Sequence, residues 1–169
     1  MLAIEFIDRS ADADLAAAET SVRWLAARGI RSELDDPAYA ALRDLRERID
    51  HLLRAAAAGV PPSTEAIDHV NACSAAAAVA PQLNWPAGGQ PRMWLSTPAG
   101  SQAMVLGLIA RSAIDLLAGA DRSRLRICQA HGCDRVYLAA SARRRWCSAA
   151  CGNRVRVARH AARRRRLTS

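Results

Sequence analysis

Four cysteines in two close pairs constrain this chain more than any other feature of its sequence. Four residues separate Cys128 from Cys133, three separate Cys147 from Cys151, and thirteen lie between the pairs. Such spacings supply the four ligands of a tetrahedral zinc ion with little loop entropy. We therefore predict one structural Zn²⁺ bound by all four cysteines, the plainer alternative being four unrelated thiols.

The residues between and after the two pairs predict the local fold. "RVYL" (135–138) and "RRRW" (143–146) can pair as a short hairpin, and Cys147 and Cys151 then fall in the first turn of a helix. A knuckle, a hairpin and a ligand-bearing helix together form a treble-clef-like zinc site. Trp146, beside a ligand, is expected to pack over the metal.

Two further residues could in principle bind the ion. Cys73 lies far away in an alanine-rich stretch, where it is expected to be a small buried hydrophobe. His131 lies inside the first cysteine pair and could replace a ligand, but four cysteines already complete the set.

Charge is distributed very unevenly along the chain. Residues 1–120 contain 10 Arg against 14 acidic residues, whereas residues 121–169 contain 14 Arg against Asp121 and Asp134. The resulting net charge of +12 in the shorter segment favours a polyanionic partner, with nucleic acid first and an anionic membrane second. "GADRS" (119–123) marks the predicted boundary between an N-terminal domain, 1–120, and a C-terminal domain, 121–169.

Apolar spacing predicts four main helices in the first domain, packed as a bundle. Gly29 and Gly59 are expected to end the first two, Pro37 follows an Asp cap on the second, and Ser63 caps the third. The fourth, roughly 98–118, is apolar on most faces and is expected at the centre. The predicted buried stripes are Leu15, Ala18, Val22 and Leu25; Leu42, Leu45, Ile49, Leu52 and Leu53; Ile67, Val70 and Ala77; and Met104, Val105, Leu108, Ile109, Leu116 and Leu117.

Two segments depart from helical spacing. "LAIEFID" (2–8) alternates Ile4 and Phe6 with Glu5, which predicts a strand or an extended lead-in. Prolines and paired glycines in 81–98 predict an exposed hairpin or irregular loop, with Trp85 and Trp94 as anchors.

The C-terminal segment resembles the CGNR zinc finger, whose name is the tetrapeptide at 151–154, and "C-x4-C-x3-YL-x2-S-x-RRRWCS" is similar to the same family. The first 120 residues resemble the ABATE domain in "LAIEFID", "LAAAETSVRWLAARG", "LRDLRERI" and "ARSAIDLLAG". Proteins of this two-part family are regarded as bacterial transcription regulators, some linked to stress. The resemblance implies a zinc-binding, DNA-binding protein.

A helix from about Ser148 to Arg166 would present its arginines in a defined pattern. Arg156, Arg159, His160 and Arg163 follow helical spacing and share one face, while Val155, Ala158 and Ala162 form another that could pack inward. Arginine suits bidentate pairing with phosphate and guanine. The predicted nucleic-acid contacts are Arg143, Arg144, Arg145, Arg156, Arg159, His160, Arg163 and Arg164. Asn153 and Arg154 are expected to brace the metal site instead.

We do not expect an enzyme. The sequence has no Gly-rich phosphate loop and no HExxH motif, and a zinc held by four cysteines offers no open position. His51 and His69 follow Asp50 and Asp68 directly, so their side chains point apart and each is expected at the surface. Neither a targeting segment nor a transmembrane span is visible, which predicts a cytoplasmic protein.

Three functions stay open at this point: a regulator that binds duplex DNA, an RNA-binding module, and a zinc-stabilised scaffold for a protein. A solvated basic tail is the plainest alternative for the last helix. Few aromatics in the basic segment favour duplex DNA over single strands. The sequence leaves open whether the protein forms a homodimer and whether its first domain binds a small-molecule effector.

Overall fold

The computed structural model of the chain describes residues 2–8, 18–27, 35–77, 80–96 and 100–167. Within these ranges six helices and two small antiparallel hairpins form the fold, which confirms the mainly α prediction. The helices are α1 (Leu2–Ile7), α2 (Ala18–Ala26), α3 (Asp36–Ala58), α4 (Thr64–Ala76), α5 (Gly100–Ala118) and α6 (Ala149–Leu167). The strands are β1 (Ala80–Asn84), β2 (Arg92–Ser96), β3 (Leu125–Ile127) and β4 (Val136–Leu138), and a 3₁₀ turn (Ala120–Arg124) precedes β3.

Helix α3 begins and ends as its sequence predicts. The Asp35 carboxylate accepts a hydrogen bond from the Ala38 amide at 2.8 Å, and Pro37 lies in the first turn. Gly59 ends the helix with φ +70°, a left-handed conformation that favours glycine. The predicted stripe is buried along its whole length: Leu42, Leu45, Ile49, Leu52 and Leu53.

Helix α4 begins at its predicted cap but is rotated slightly from the predicted face. The Ser63 hydroxyl accepts a hydrogen bond from the Ala66 amide at 3.3 Å. Ala66 and Val70 face the core, whereas Ile67, predicted to be buried, is 39% exposed. The smaller Ala66 permits close packing, so the bulkier neighbour is displaced to the rim.

Helix α5 lies at the centre of the bundle and contacts α1, α3 and α4. Its buried residues are Val105, Ile109, Ala110, Ala113 and Leu116. Met104, Leu108 and Leu117, also predicted to be buried, are only half-buried. Arg111 extends from α5 and donates a hydrogen bond to the Ala77 carbonyl at 2.6 Å, which ties the end of α4 to the centre.

The prediction of a strand at residues 2–8 is wrong, because this segment is the helix α1. Ala3, Phe6 and Ile7 are buried together at helical spacing, while Glu5 is exposed. The Phe6 ring lies 5.6 Å from that of Trp24 on α2. The apolar residues at positions 4 and 6 alternate with Glu5, but Ala3, Phe6 and Ile7 also follow helical spacing. Burial of these three residues against α3 and α5 favours the helix.

Helix α2 is confirmed over Ala18–Ala26, with Leu25 fully buried and Val22 half-buried. The predicted positions Leu15 and Gly29 lie outside the described residues. A serine, Ser21, is also completely buried in this helix.

The hairpin β1–β2 confirms the predicted exposed element, with Leu83 opposite Met93. Trp85 was predicted to be an anchor, which is wrong, because it is 66% exposed. Leu83 and Met93 are similarly exposed, since a two-stranded sheet by itself has no apolar face to cover them. The side chain of Trp94 lies outside the description.

The second hairpin, β3–β4, packs against the bundle. Leu125 and Val136 are buried in the same apolar cluster as the residues of α3 and α5, and β3 lies directly against α3. The core of the N-terminal helices therefore continues into the C-terminal segment. The predicted division at residue 120 stays a prediction.

Candidate metal centre and basic helix

The loop between β3 and β4 carries the first cysteine pair. Leu125 pairs with Leu138 and Ile127 with Val136, so the predicted pairing of 135–138 with 143–146 is wrong. The Cys128 amide donates to the Arg135 carbonyl at 2.9 Å, which extends the hairpin to the first ligand. "LRI" pairs instead because it precedes the knuckle immediately and buries Leu125 in the core.

A tight turn then brings Cys133 back towards Cys128. The Cys133 amide donates to the Ala130 carbonyl at 2.9 Å, and Gly132 takes φ +69°, which a residue with a Cβ adopts only under strain. The backbone thus forms a knuckle whose two thiols point to one side of the hairpin tip.

The second pair lies on either side of the first residue of α6. Cys151 is in the first turn as predicted, whereas Cys147, predicted to lie there too, precedes the helix. The Ser148 hydroxyl accepts a hydrogen bond from the Cys151 amide at 3.2 Å, as an N-cap serine does. This cap positions Cys151 in the first helical turn, and the Sγ atoms of Cys147 and Cys151 lie 3.6 Å apart. The Cys147 amide donates to the Cys128 Sγ at 3.4 Å and so joins the two pairs.

The four thiols form one cluster with the dimensions of a zinc site. All four Sγ atoms lie within 4.8 Å of one another, and the distance between Cys133 and Cys147 is 3.8 Å. Zn–S bonds of about 2.3 Å at tetrahedral angles place sulfur atoms about 3.8 Å apart. Both the donor set and the spacing therefore fit one zinc ion bound by Cys128, Cys133, Cys147 and Cys151.

Cys73 and His131 do not join this cluster. Cys73 is half-buried on α4 rather than fully buried, with its Sγ atom 3.5 Å from His69 Nε2, and burial raises its pKa. His131 is exposed on the knuckle.

The surroundings split the cysteine pKa values widely. Burial raises the pKa of Cys147 to about 12, whereas the Ser148 hydroxyl lowers that of Cys151 to about 7. Zinc binds thiolates, so a metal that enters this cluster displaces protons from the sulfurs.

Apolar residues pack around part of the cysteine cluster. Cys128 and Cys151 are buried with Ala130, Tyr137 and Ala139, while Trp146 and Val155 pack against them. Trp146 lies where it was predicted to lie. This shell shields the sulfurs of Cys128 and Cys151 from water, whereas those of Cys133 and Cys147 are half-buried.

Arg144 has a role that the sequence did not indicate. Its Nε donates to the Trp146 carbonyl at 2.9 Å, its Nη2 donates to the Cys147 carbonyl, and its guanidinium lies 5.4 Å from the centre of the Tyr137 ring. The Tyr137 hydroxyl in turn donates to the Arg144 carbonyl at 2.9 Å. The arginine thus fastens the loop that leads into Cys147, and a tyrosine four residues after the last knuckle cysteine gives no sequence signal for that.

Of the two residues predicted to brace the cluster, Arg154 contacts it directly. Its Nη2 lies 3.5 Å from the Cys151 Sγ, where a positive charge favours a thiolate. Asn153 is exposed.

Ion pairs fix the knuckle to the N-terminal helices. Arg54 on α3 donates to the Asp134 carbonyl at 2.7 Å and lies 3.3 Å from its carboxylate. Arg135 lies 3.3 Å from the Asp8 carboxylate, just after α1. Asp134 and Arg135 directly follow Cys133, so these contacts hold the knuckle against the bundle.

Helix α6 begins beside the cysteine cluster and is exposed along most of its length. Val155 packs on the cysteine cluster, but Ala158 and Ala162, which were predicted to form an inward face, are exposed. Val157 is 60% exposed. The predicted basic face is exposed throughout: Arg156, Arg159, His160, Arg163 and Arg164. The two alanines are exposed because, among the described residues, neither apolar cluster includes a residue of α6 beyond Val155.

Histidines elsewhere do not form acid–base pairs with the acids beside them. Asp50 binds Arg54 at 2.8 Å, and His51 is exposed, its Nε2 accepting a hydrogen bond from the Ser63 amide at 3.3 Å. His69 is half-buried, and its Nε2 lies 3.3 Å from Asp44 and 3.5 Å from Cys73. Asp44 and Cys73 both lie near Nε2 of His69, whereas a proton relay requires one partner on each ring nitrogen.

Comparison with known families agrees with this architecture. The ABATE model, described as "Putative stress-induced transcription regulator", matches residues 3–120. The chain belongs to this family. The CGNR zinc finger model matches residues 124–164, which contain all four clustered cysteines. No curated protein matches the chain significantly.

This ABATE protein therefore combines a regulator family with a zinc finger whose four cysteines could hold one zinc ion. Among the described residues, no helix is both long and apolar enough to cross a membrane.

Proposed function

We propose that this protein is a cytoplasmic, non-enzymatic transcription regulator that binds duplex DNA through α6. One observation carries the proposal: a basic helix begins at two cysteines of the cluster and exposes its arginines from Arg154 to Arg165. The segment 121–169 has a net charge of +12, which attracts a polyanion strongly.

The dimensions of α6 suit the major groove. An α-helix with side chains is about 10–12 Å across, and the groove of B-DNA is about 12 Å wide. Arg156 and Arg163 lie about 10 Å apart along the axis at 1.5 Å per residue, and Arg159 lies between them on the same face. Three guanidinium groups can thus reach phosphates or base edges over roughly one groove width.

A bound zinc ion would fix the direction of this helix. Cys128 and Cys133 come from a knuckle paired with the bundle, whereas Cys147 directly precedes α6 and Cys151 lies in its first turn. Four thiolates complete the coordination sphere, so the metal supplies structure and no open position for catalysis.

Aromatic exposure favours a duplex over single strands. Single-strand binding proteins stack bases on exposed aromatic rings. Tyr137 is buried and Trp146 packs on the cysteine cluster, so neither ring is presented beside the arginines. RNA binding and a scaffold for a protein partner are the alternative functions, and the following experiment separates them.

The test is the salt dependence of binding to duplex DNA, single-stranded DNA and structured RNA by the full-length, zinc-loaded protein. Replacing Arg156, Arg159 and Arg163 with Gln should weaken duplex binding and lower the slope of log affinity against log salt by about 2.7, at about 0.9 per phosphate. Replacing the exposed Arg23, Arg43 and Arg92 instead removes the same charge elsewhere and should leave the slope unchanged.

Three outcomes would contradict the proposal. Tighter binding to structured RNA would favour the RNA-binding module, and no nucleic-acid binding would favour the scaffold. Equal binding by the chelated and the zinc-loaded protein would make α6 a generic basic tail. Under the proposal, chelation weakens specific binding more than non-specific binding, because charge survives unfolding and geometry does not.

A further inference from the structure

An open groove of about 810 Å³ lies where the bundle meets the zinc finger. Its lining residues come from the end of α3, the start of α4 and the end of α5, and from the 3₁₀ turn and β3. Its volume lies within the range of small-molecule sites, about 300–1,000 Å³. Apolar side chains line most of it, among them Leu52, Val60, Ile67, Ile114, Leu117 and Leu125.

Two of these side chains are unusually exposed. Val60 is 54% exposed and Ile67 is 39% exposed, although both are large and apolar. Their exposed surface faces the groove rather than being scattered, and a concave apolar surface of this kind marks a binding site.

The part of the groove formed by the 3₁₀ turn and β3 is cationic. Arg122 and Arg126 line it, together with Ser123, and no carboxylate occurs among the described residues of its lining. Arg126 Nη1 donates to the carbonyls of Ser123 at 2.8 Å and Leu125 at 2.7 Å, which fixes its guanidinium at the rim. The nearest acid in sequence, Asp121, is paired with Arg124 at 2.6 Å.

We propose that this groove binds a small monocarboxylate with an apolar aliphatic or aromatic body. The apolar walls would cover the body, and the two guanidinium groups would pair with the carboxylate, for which arginine has matching geometry. A neutral or cationic ligand would leave the guanidinium groups of Arg122 and Arg126 without an anionic partner.

The groove also touches the strand that leads into the metal site. Leu125 and Arg126 lie three and two residues before Cys128 on β3. A ligand that contacts both would stabilise the position that β3, and the finger that follows it, takes against α3 and α5. Regulation of DNA binding by this route rests on the function proposed above, whereas ligand binding itself does not.

Calorimetry with octanoate and 1-octanol tests the proposal on the full-length, zinc-loaded protein. Octanoate should bind at least fivefold more tightly than octanol, which has the same apolar body and no charge. Arg122→Gln should weaken octanoate about tenfold, as expected for one charged hydrogen bond of roughly 1.4 kcal/mol, and leave octanol unchanged. Arg92→Gln removes an exposed arginine outside the groove and should change neither affinity.

A second pair of variants tests the apolar wall without disturbing the core. Ile67→Glu introduces a carboxylate at the partly exposed wall and should weaken octanoate more than tenfold, whereas Ile67→Leu should preserve binding. Octanol binding as tight as octanoate, an equal effect of Arg92→Gln and Arg122→Gln, or no octanoate binding at millimolar concentration would overturn the proposal.

Duplex DNA affinity with and without saturating octanoate separates the two proposals. A changed affinity supports regulation through β3, and an unchanged affinity overturns it while the calorimetry still decides on the groove. A protein that binds octanoate but no nucleic acid would refute the DNA-binding function and leave the ligand site standing.

Discussion

Helix α3 carries four arginines and helix α6 carries seven, and the two helices use them in opposite ways. On α3, Arg48 is paired with Asp44 at 3.3 Å and with Glu65 at 2.7 Å, and Arg54 is paired with Asp50 and Asp134. On α6 no residue is acidic. Arginine on α3 therefore binds parts of the protein to one another, and on α6 it is presented to a partner.

The two helices also differ in what holds them. Helix α3 buries an apolar stripe from Ala38 to Ala55, so packing stabilises it along its whole length. Helix α6 buries Cys151 and Gly152 and half-buries Val155, all near its start. Repulsion between basic residues four apart, such as Arg159 and Arg163, opposes the rest of α6. The comparison indicates that α3 depends on packing and α6 on its metal-bound end.

Removal of zinc should produce the largest difference in stability between α3 and α6. A structural zinc ion stabilises comparable fingers by about 10–16 kcal/mol, and α6 has little packing to replace it. Hydrogen exchange should show that the amides of α6 lose protection on chelation, while those of α3 keep it. Equal loss in both helices would show that the finger and the bundle unfold together.

Truncation of apolar side chains should give the next largest difference. Leu45→Ala removes a fully buried side chain from α3 and should cost about 2–5 kcal/mol of unfolding free energy. Val157→Ala on α6 should change it by less than about 0.5 kcal/mol, since the side chain is 60% exposed. Denaturant unfolding of both variants measures the values, and similar losses would contradict the one-ended attachment of α6.

The helix caps should give the smallest effect, and a local one for α6. Asp35→Ala removes the cap of α3 and should cost about 1 kcal/mol in global unfolding. Ser148→Ala should raise the exchange rate of α6 amides with little change in global stability, because most of α6 is exposed and can open locally. Asp35→Asn and Ser148→Thr keep the accepting oxygen and serve as controls. A lower free energy of global unfolding for Ser148→Ala would show that α6 and the bundle unfold together.

Signals within a few residues predicted much of this structure. Asp35 and Gly59 bound α3, and Ser63 begins α4, because a cap depends on hydrogen bonds between near neighbours. Close spacing likewise identified the cysteines of the metal site, since each pair spans one turn of backbone. The face of α6 that bears Arg156 and Arg163 follows from helical geometry alone.

Competing local patterns were decided by packing. Residues 2–8 satisfy both an alternating and a helical pattern, and burial of Phe6 against the bundle selects the helix. The partner of "RVYL" is "LRI" rather than "RRRW", because Leu125 and Val136 enter the core together. Neither choice could be read from segments of that length.

The sequence by itself determined which residues could bind zinc, where α3 begins and ends, where α4 begins, and where the positive charge lies. Those properties depend on residue type and on neighbours along the chain. Only the tertiary structure decided that Arg54 holds the knuckle through Asp134, that Arg144 braces Cys147, and that Ala158 stays exposed. Such contacts join residues distant in sequence, or depend on how a loop folds or on which surface lies nearby, and an ion pair or an apolar contact forms only where folding brings both partners together.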